Sequence, residues 1–318
     1  MIPSMKTRRE FLIQSSIAVA GTALSSALAE GSTLQPSVAF PTNLRERIAI
    51  ASYPFRDFIL PAEYVSDTAK TSPKMELTEF AAHVVSHFGV NKIEPWSAHF
   101  RSLDPKYLEN FRAAVDRAKA AVVDIAYDGE HSIYAADSAE RDRAVADNKK
   151  WVDAAATLGS LSIRTHIASD NNQPPNLDRA ADSLRRIGEH AATRNVVVHL
   201  DNDDGVTEDP FFLGKLIDAV NSPWVRALPD FGNSLMHLPP ATAYDGLETM
   251  FQHAYGISHV KGSESTEKGA RVPVDLAYAF GLLKKSGYRG YLSMEYDDAG
   301  DPYEGTRRLI EATLQLLA

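Results

Sequence analysis

Hydrophobic and polar positions along the chain alternate between two patterns from about residue 45 onward. Short runs of Val, Ile, Leu and Ala, typical of buried strands, are followed by longer segments with an apolar residue at every third or fourth position. In "LTEFAAHVVSHFG", for example, Leu77, Phe80, Val84 and Phe88 share one face, and Gly89 is placed to end the helix. The two patterns follow each other roughly eight times, which predicts alternating strands and helices.

Strands that alternate with helices of this length are joined by parallel connections. Roughly eight such units are the number at which a parallel sheet closes into a (β/α)8, or TIM, barrel. An open doubly wound sheet is the alternative, but it usually carries a glycine-rich phosphate turn after its first strand, and "ASYPFRDF" contains no glycine. We therefore predict an α/β fold in which residues 45–318 form a single-domain (β/α)8 barrel.

The first residues follow a different pattern. The stretch "TRREFL" contains an arginine pair and leads into an apolar segment that ends in the cleavage pattern "ALA". Residues 1–29 thus resemble a twin-arginine signal peptide. The apolar segment contains too many Ser, Thr, Gln and Gly residues for stable membrane insertion. We expect cleavage near Ala29, a loose leader over residues 30–44, and a periplasmic or extracellular mature protein.

Composition restricts the partners. The chain has 0 Cys, so an exported form has no disulfides and depends on its hydrophobic core alone. The formal net charge of −9 argues against nucleic acid or an anionic membrane, because phosphate binding needs clustered Lys and Arg. The expected partner is a small molecule, and the sequence leaves homo-oligomerisation open.

Four residues of the kind that bind metals fall at the ends of four consecutive predicted strands. Asp201, Asp230, His259 and Glu295 are separated by 29, 29 and 36 residues, about one strand–helix unit each. Strand side chains alternate between faces, and the carboxyl ends of barrel strands meet at one mouth, so these four can converge. Three carboxylates in one small volume repel each other unless a cation joins them. We expect one divalent ion, Mn²⁺ first, with Mg²⁺, Co²⁺ or Zn²⁺ as alternatives.

The same strand ends resemble the xylose isomerase-like TIM-barrel superfamily of sugar isomerases and epimerases. The matching segments are "DN" at 201–202, "D" at 230, "HVK" at 259–261 and "MEY" at 294–296. The resemblance implies that the four strand-end residues bind the metal. Two departures stand out: Asp201 replaces the usual Glu, and Gly262 stands where an Asp is common.

The resemblance also implies a reaction in which a proton is removed next to a carbonyl and an enediolate forms. We expect Glu295 to act as an acid/base that also contacts the metal. Asp201 is either its partner base or only a ligand. His166 is a candidate proton shuttle, and Lys261 can stabilise negative charge that develops on oxygen.

Five further residues are expected to bind substrate: Arg164, Trp96, His99, Asn202 and Asn233. Arg164 can hold a hydroxyl or carboxylate, or else form a buried ion pair, and Trp96 can stack on a sugar ring, or else pack beneath a loop. His199, by contrast, is expected to be a core or outer-shell histidine.

Three alternatives stay open from the sequence. The first is a metal-dependent lyase that cleaves 3-keto-glycosides by elimination, and it suits the export signal and the shorter Asp201. The second is a metal phosphoesterase, which the acidic charge opposes. The third is a non-catalytic sugar-binding protein.

Overall fold

The computed structural model describes residues 35–61, 74–171, 173–266 and 269–318, so the predicted signal peptide lies outside the described residues. The barrel strands are β1 (Ile48–Ala51), β2 (Lys92–Glu94), β3 (Ala121–Val122 and Ala126–Tyr127), β4 (Ser162–Thr165), β5 (Val197–Asp201), β6 (Val225–Leu228), β7 (Ile257–Val260) and β8 (Tyr291–Met294). The helices are α1 (Leu77–Phe88), α2 (Pro105–Arg117), α3 (Ser138–Leu158), α4 (Leu177–Arg194), α5 (Pro210–Val220), α6 (Pro240–His253), α7 (Leu276–Ser286) and α8 (Pro302–Leu317).

The strands form the predicted parallel (β/α)8 barrel. β1 pairs with β8 and with β2, and the remaining strands follow in chain order around the ring. β6 and β7 are joined by isolated bridges, Ala227 with Ala254 and Asp230 with His259. The bridge between Asp230 and His259 places two of the predicted ligands next to each other. The contact between β6 and β7 that closes the barrel therefore also forms part of the predicted site.

Alternation along the strands separates two apolar layers. The outer layer lies between the strands and the helices and holds most of the buried aliphatic and aromatic side chains. A smaller inner cluster fills the barrel itself and consists of Ala49, Val123, Leu228, Ile257 and Tyr291. The odd-numbered positions of β7 and β8 therefore face inward. Continuing that alternation points His259 and Glu295 into the barrel, above the inner cluster.

Local signals set where the helices begin and end. Gly89 adopts a φ of 60°, the left-handed conformation that ends α1 as predicted, and Gly159 ends α3 in the same way with a φ of 73°. Asp209 begins α5, because its carboxylate accepts hydrogen bonds from two backbone N–H groups of the first turn, both at 2.9 Å.

Part of the segment predicted as a loose leader is packed against the barrel. The Phe40 ring lies 5.5 Å from that of Tyr255 and 5.7 Å from that of Tyr291, both in edge-on geometry. The Tyr255 hydroxyl also donates a hydrogen bond to the Pro36 carbonyl at 3.3 Å. Among the described residues, no helix is both long and apolar enough to cross a bilayer.

Candidate active site

The ends of β5 to β8 bring the four predicted ligands together. The Nδ1 atom of His259 lies 3.0 Å from Glu295 Oε2, 3.5 Å from Asp230 Oδ2 and 3.6 Å from Asp201 Oδ2. All four side chains are buried. The convergence predicted from strand spacing is therefore present, with one oxygen of each carboxylate turned toward the same imidazole nitrogen.

Three of these atoms have no hydrogen-bond partner among the described residues: Asp230 Oδ2, His259 Nδ1 and Glu295 Oε2. Asp230, His259 and Glu295 offer ligand atoms that lie within 4.8 Å of one another. Buried polar atoms without partners are unfavourable and converging carboxylates repel, and a cation between these groups would relieve both. The oxygen-rich set with one imidazole fits a divalent ion.

A fifth residue, Glu94 at the end of β2, orients the histidine. Its Oε1 lies 2.8 Å from His259 Nε2, and the Glu94 side chain is only 1% exposed. Because a carboxylate accepts hydrogen bonds, Nε2 donates to Glu94, and Nδ1 is the nitrogen that faces the other three carboxylates. The sequence analysis assigned Glu94 no role.

The charges of the cluster set its protonation. Burial lowers the pKa of His259, but the carboxylates of Glu295 and Glu94 outweigh it and raise that pKa well above its ordinary value. Burial raises the pKa of Asp201 well above the usual range. Burial alone would also raise the pKa of Glu295, but His259 and Lys261 hold it well below the usual range. The cluster therefore attracts positive charge strongly, and Glu295 is ionised at neutral pH.

Asn202 supports this cluster rather than lining a substrate pocket. Its amide oxygen accepts the Asp230 N–H at 2.8 Å, and its amide nitrogen donates to Ser234 Oγ at 2.9 Å. The side chain is buried and is not among the residues that line the cavity described below. Asp230 Oδ1 in turn accepts from the N–H groups of Gly232 and Asn233, both at 2.7 Å, which leaves Oδ2 for the converging side.

A cavity of about 340 Å³ opens beside the cluster, within the size range of small-molecule sites. It is lined by Tyr53, Trp96, Asp128, Arg164, His166, Asp203, Asn233, Met236, Lys261, Glu264, Glu295 and Asp297. Six residues predicted to be catalytic or substrate-binding are in this set. Of the four predicted ligands, Glu295 is the one that lines this cavity.

His99 is the second predicted substrate residue that the structure places elsewhere. Its Nδ1 lies 2.9 Å from Ser52 Oγ, and its ring packs edge-on behind Trp96 at 5.1 Å. Burial lowers the pKa of His99 to about 4, so the ring is neutral. His99 follows the end of β2 and is therefore near the barrel mouth. The short helix Ser97–His99 directs its side chain into the protein interior.

The sequence profile described as "Xylose isomerase-like TIM barrel" matches residues 82–316, well over half of the chain. The chain belongs to the xylose isomerase-like TIM barrel family. The predicted superfamily is thus confirmed. A search of curated protein sequences finds no match.

Solved structures share the fold of this family member at low sequence identity. A xylose isomerase-like TIM barrel protein from Mycobacterium smegmatis in complex with magnesium has a TM-score of 0.62 and 19% identity, covering 85% of this chain and 97% of that chain. A D-allulose 3-epimerase from Methylomonas sp. has a TM-score of 0.65 and 15% identity, covering 88% and 100%. A 3-keto-D-glucoside 4-epimerase from E. coli has a TM-score of 0.58 and 17% identity, covering 85% and 98%.

The β4 side of this xylose isomerase-like barrel carries an ion pair at the cavity wall. Arg164 Nη1 donates to Asp128 Oδ1 at 2.7 Å, and its Nε lies 3.9 Å from Asp201 Oδ2. Trp96 Nε1 donates to the other oxygen of Asp128. Arg164 is thus held in a buried ion pair and also lines the cavity.

Lys261 lies between the metal cluster and the cavity. Its Nζ donates to Asn233 Oδ1 and lies 3.4 Å from Glu264 Oε2 and 3.7 Å from both Asp230 Oδ2 and Glu295 Oε2. Burial lowers the pKa of Lys261, but Asp230 and Glu295 outweigh it and raise that pKa well above its ordinary value. The ammonium group is therefore charged and adjacent to any substrate oxygen near the cluster.

Proposed function

We propose that the chain is a divalent-metal-dependent sugar isomerase or epimerase that removes a proton next to a carbonyl and passes through an enediolate. The observation that carries this proposal is the convergence of Asp230 Oδ2, His259 Nδ1 and Glu295 Oε2, unpaired and buried, beside a polar cavity. Sugar epimerases among the solved structures of the same fold support the reaction class.

The metal would be held by Asp201, Asp230, His259 and Glu295. When bound, a divalent ion supplies Lewis acidity that stabilises negative charge on substrate oxygens. We expect Mn²⁺ first, with Mg²⁺, Co²⁺ or Zn²⁺ as alternatives. Glu94 fixes the imidazole so that Nδ1 faces this position.

Proton abstraction falls to Glu295. It is the ligand that lines the cavity, and it is ionised because His259 and Lys261 hold its pKa low. The ammonium group of Lys261 lies 3.7 Å from Glu295 Oε2, so it can donate a hydrogen bond to an oxygen on which negative charge develops. Deprotonation and charge stabilisation therefore come from neighbouring residues on β8 and at the end of β7.

The cavity suits an uncharged sugar. Each cationic side chain among its described lining residues has a carboxylate partner: Arg164 with Asp128, His166 with Glu208, and Lys261 with Glu264. A phosphate or a uronate would have to displace these partners and would meet further negative charge at Asp203 and Asp297. Tyr53 and Trp96, with ring centroids 5.2 Å apart, offer an aromatic surface for the apolar side of a sugar ring.

Solvent exchange tests this proposal without a guess at the product. Purified protein with about one equivalent of Mn²⁺ is incubated in D₂O with D-allulose, D-tagatose, a 3-keto-glucoside and a sugar phosphate, and deuterium incorporation is followed by NMR. We expect exchange at the carbon next to the carbonyl in an uncharged sugar and none after chelation. Absence of exchange with every uncharged sugar would contradict the proposed function.

A second cavity favours one alternative, cleavage of a 3-keto-glycoside. It measures about 500 Å³, and Phe58 and Tyr296 are among its walls. Arg56, which lines it, binds Asp297 of the first cavity at 2.8 Å, so this ion pair is a wall common to both. A glycoside could place its sugar in the first cavity and its aglycone in the second. Release of free aglycone from a 3-keto-glycoside, rather than an epimerised glycoside, would assign the lyase reaction.

We also propose export to the periplasm or beyond, which suits an extracellular sugar or glycoside. Arg8→Lys together with Arg9→Lys should trap the precursor in the cytoplasm, detected by fractionation. Normal processing of that double variant would remove the twin-arginine assignment.

A further inference from the structure

An epimerase that inverts a carbon has to return a proton to the face opposite to the one it deprotonates. This inference rests on the proposed function, which supplies one base, Glu295 on β8. The second proton-transfer group then has to line the same cavity from another direction.

Asp201 does not meet that requirement. It is 2% exposed and is not among the residues that line the cavity. Its Oδ1 accepts a hydrogen bond from Asn233 Nδ2 at 3.4 Å, and its Oδ2 lies 3.6 Å from His259 Nδ1. Asp201 is therefore a ligand whose side chain stops short of the substrate.

His166 does meet the requirement. It follows β4 directly and lines the cavity together with Glu295. In an eight-stranded barrel the fourth and eighth strands lie on opposite sides, so the two residues approach the cavity from opposite walls. The His166 side chain is 31% exposed, which leaves its ring accessible from the cavity.

Glu208, in the loop between β5 and α5, holds this imidazole from behind. Its carboxylate is fully buried and lies 3.1 Å from His166 Nδ1. Glu208 Oε2 is the oxygen that faces His166, and it also lies 3.3 Å from the Asp204 N–H. Glu208 Oε1 accepts a hydrogen bond from the Ile167 N–H at 2.7 Å. Since the carboxylate accepts the Nδ1 proton, Nε2 is the nitrogen left to exchange a proton with substrate.

We propose that His166, oriented by Glu208, is the second proton-transfer residue and exchanges a proton at Nε2 with the face of the sugar opposite to Glu295. Glu295 takes the proton from carbon as the C–H electron pair moves into the enediolate. The enediolate electron pair then forms a new C–H bond with the proton from His166, and the imidazolium becomes neutral imidazole. Both residues afterwards re-equilibrate with solvent through the cavity mouth.

The surrounding charges suit this role. The pKa of His166 is raised to about 9, mainly by the negative charge of Glu208 and to a smaller extent by that of Asp128. Burial and the positive charge of Arg164 act in the opposite direction but are outweighed. Asp203 and Asp204 are two further acids close to the pair. His166 is thus protonated at neutral pH and able to donate. Both Glu208 oxygens already accept N–H groups, which makes this group a poor second metal site.

The first test separates exchange from inversion. His166→Asn is compared with wild type in D₂O, at saturating Mn²⁺, using whichever sugar the wild type epimerises. We expect epimerisation to fall by about 10²-fold or more, while Glu295-dependent deuterium exchange into recovered substrate changes by only a few fold. The matched control is His131→Asn: His131 pairs with Glu140 at 2.9 Å and is 32% exposed, but it does not line the cavity.

Unchanged epimerisation by His166→Asn would overturn the inference and leave the proposed function intact. Absence of exchange by wild type would instead remove the proposed function and this inference with it. Metal content gives a further check. If the wild type binds two metal ions per chain and His166→Asn binds one, His166 is a metal ligand and the inference is overturned.

The second test addresses Glu208 as a positioning residue. In the direction in which His166 donates, wild-type turnover should decline above about pH 9, where His166 deprotonates. In Glu208→Gln the pKa of His166 should return toward about 6.5, so the decline in turnover should begin roughly two pH units lower. Glu140→Gln is the control and should leave the pH profile unchanged. If Glu208→Gln lowers turnover equally at every pH and the decline at high pH does not move, Glu208 has only a structural role.

Discussion

Two histidines inside the barrel, His199 and His259, both lie against carboxylates, yet their surroundings differ. His199 Nδ1 is 3.3 Å from Asp124 Oδ1, and Ser162 donates to the same oxygen. That group has one carboxylate, is fully buried and lies away from the cavity. The His259 group has several carboxylates around one imidazole and adjoins the cavity.

The difference shows that a buried histidine–carboxylate contact is not itself a sign of function. One histidine in contact with one carboxylate inside the barrel can serve as part of the core. The carboxylates around the His259 imidazole outnumber the cationic side chains beside them, Lys261 and Arg164, so that group favours a further cation. Charge imbalance together with access to a cavity is therefore the more useful criterion for a metal site.

The largest expected effect is loss of the metal in His259→Ala. Removing a direct ligand should weaken metal affinity by more than about 100-fold, beyond the effect of losing an outer-shell partner. Elemental analysis after gel filtration and circular dichroism check metal content and fold. Full metal occupancy in this variant would mean that His259 is not a ligand.

Glu295→Gln separates a base from a ligand. Gln keeps the size and one oxygen that can bind a metal, but it cannot accept the proton, so turnover should fall by about 10²–10⁴-fold. Deuterium exchange should fall with it, and added Mn²⁺ should restore little. If saturating metal returns turnover to near wild type, Glu295 is a ligand only.

Glu94→Gln tests the orientation of the imidazole. Loss of the charge that holds His259 Nε2 should reduce metal affinity by about 10–100-fold, because outer-shell partners set ligand basicity and tautomer. Isothermal titration with Mn²⁺ measures the change. Glu109→Gln, on the exposed side of α2, removes the same charge and should leave affinity unaltered. Equal affinities for both variants would count against the role of Glu94.

His199→Ala should have the smallest functional effect. It leaves Asp124 without its imidazole partner in the core, which should lower the free energy of unfolding by about 1–3 kcal/mol. Metal content should stay at the wild-type value. Urea denaturation and elemental analysis measure the two quantities, and loss of metal here would undo the distinction between the histidines.

Much of this arrangement could be predicted from the sequence because it depends on periodicity. Strand–helix spacing predicted the barrel, and the same spacing predicted that Asp201, Asp230, His259 and Glu295 converge. Glu94 was missed as a partner because its contact with His259 joins β2 to β7 across 165 residues of sequence. Such a contact follows from closure of the barrel and from no local pattern.

Loops limited the rest of the prediction. Glu208 lies in "DNDDGVTEDP", where several acids look alike, and only the folded loop shows which one reaches His166. His99 and Asn202 follow strand ends, as cavity residues do, but a short helix and an amide–backbone contact turn them inward. Strand ends thus predict proximity to the mouth, whereas side-chain direction depends on the loop.

The join between β6 and β7 has a consequence for how the barrel opens. The amide of His259 donates to the Pro229 carbonyl at 3.1 Å, and the amide of Phe231 donates to the His259 carbonyl at 3.3 Å. With isolated bridges in place of a continuous ladder, this join is the natural place for local unfolding of the ring. An ion bound to both Asp230 and His259 would hold the two strands together. Native-state hydrogen exchange of these amides should therefore slow with metal concentration, while amides between β4 and β5 change little.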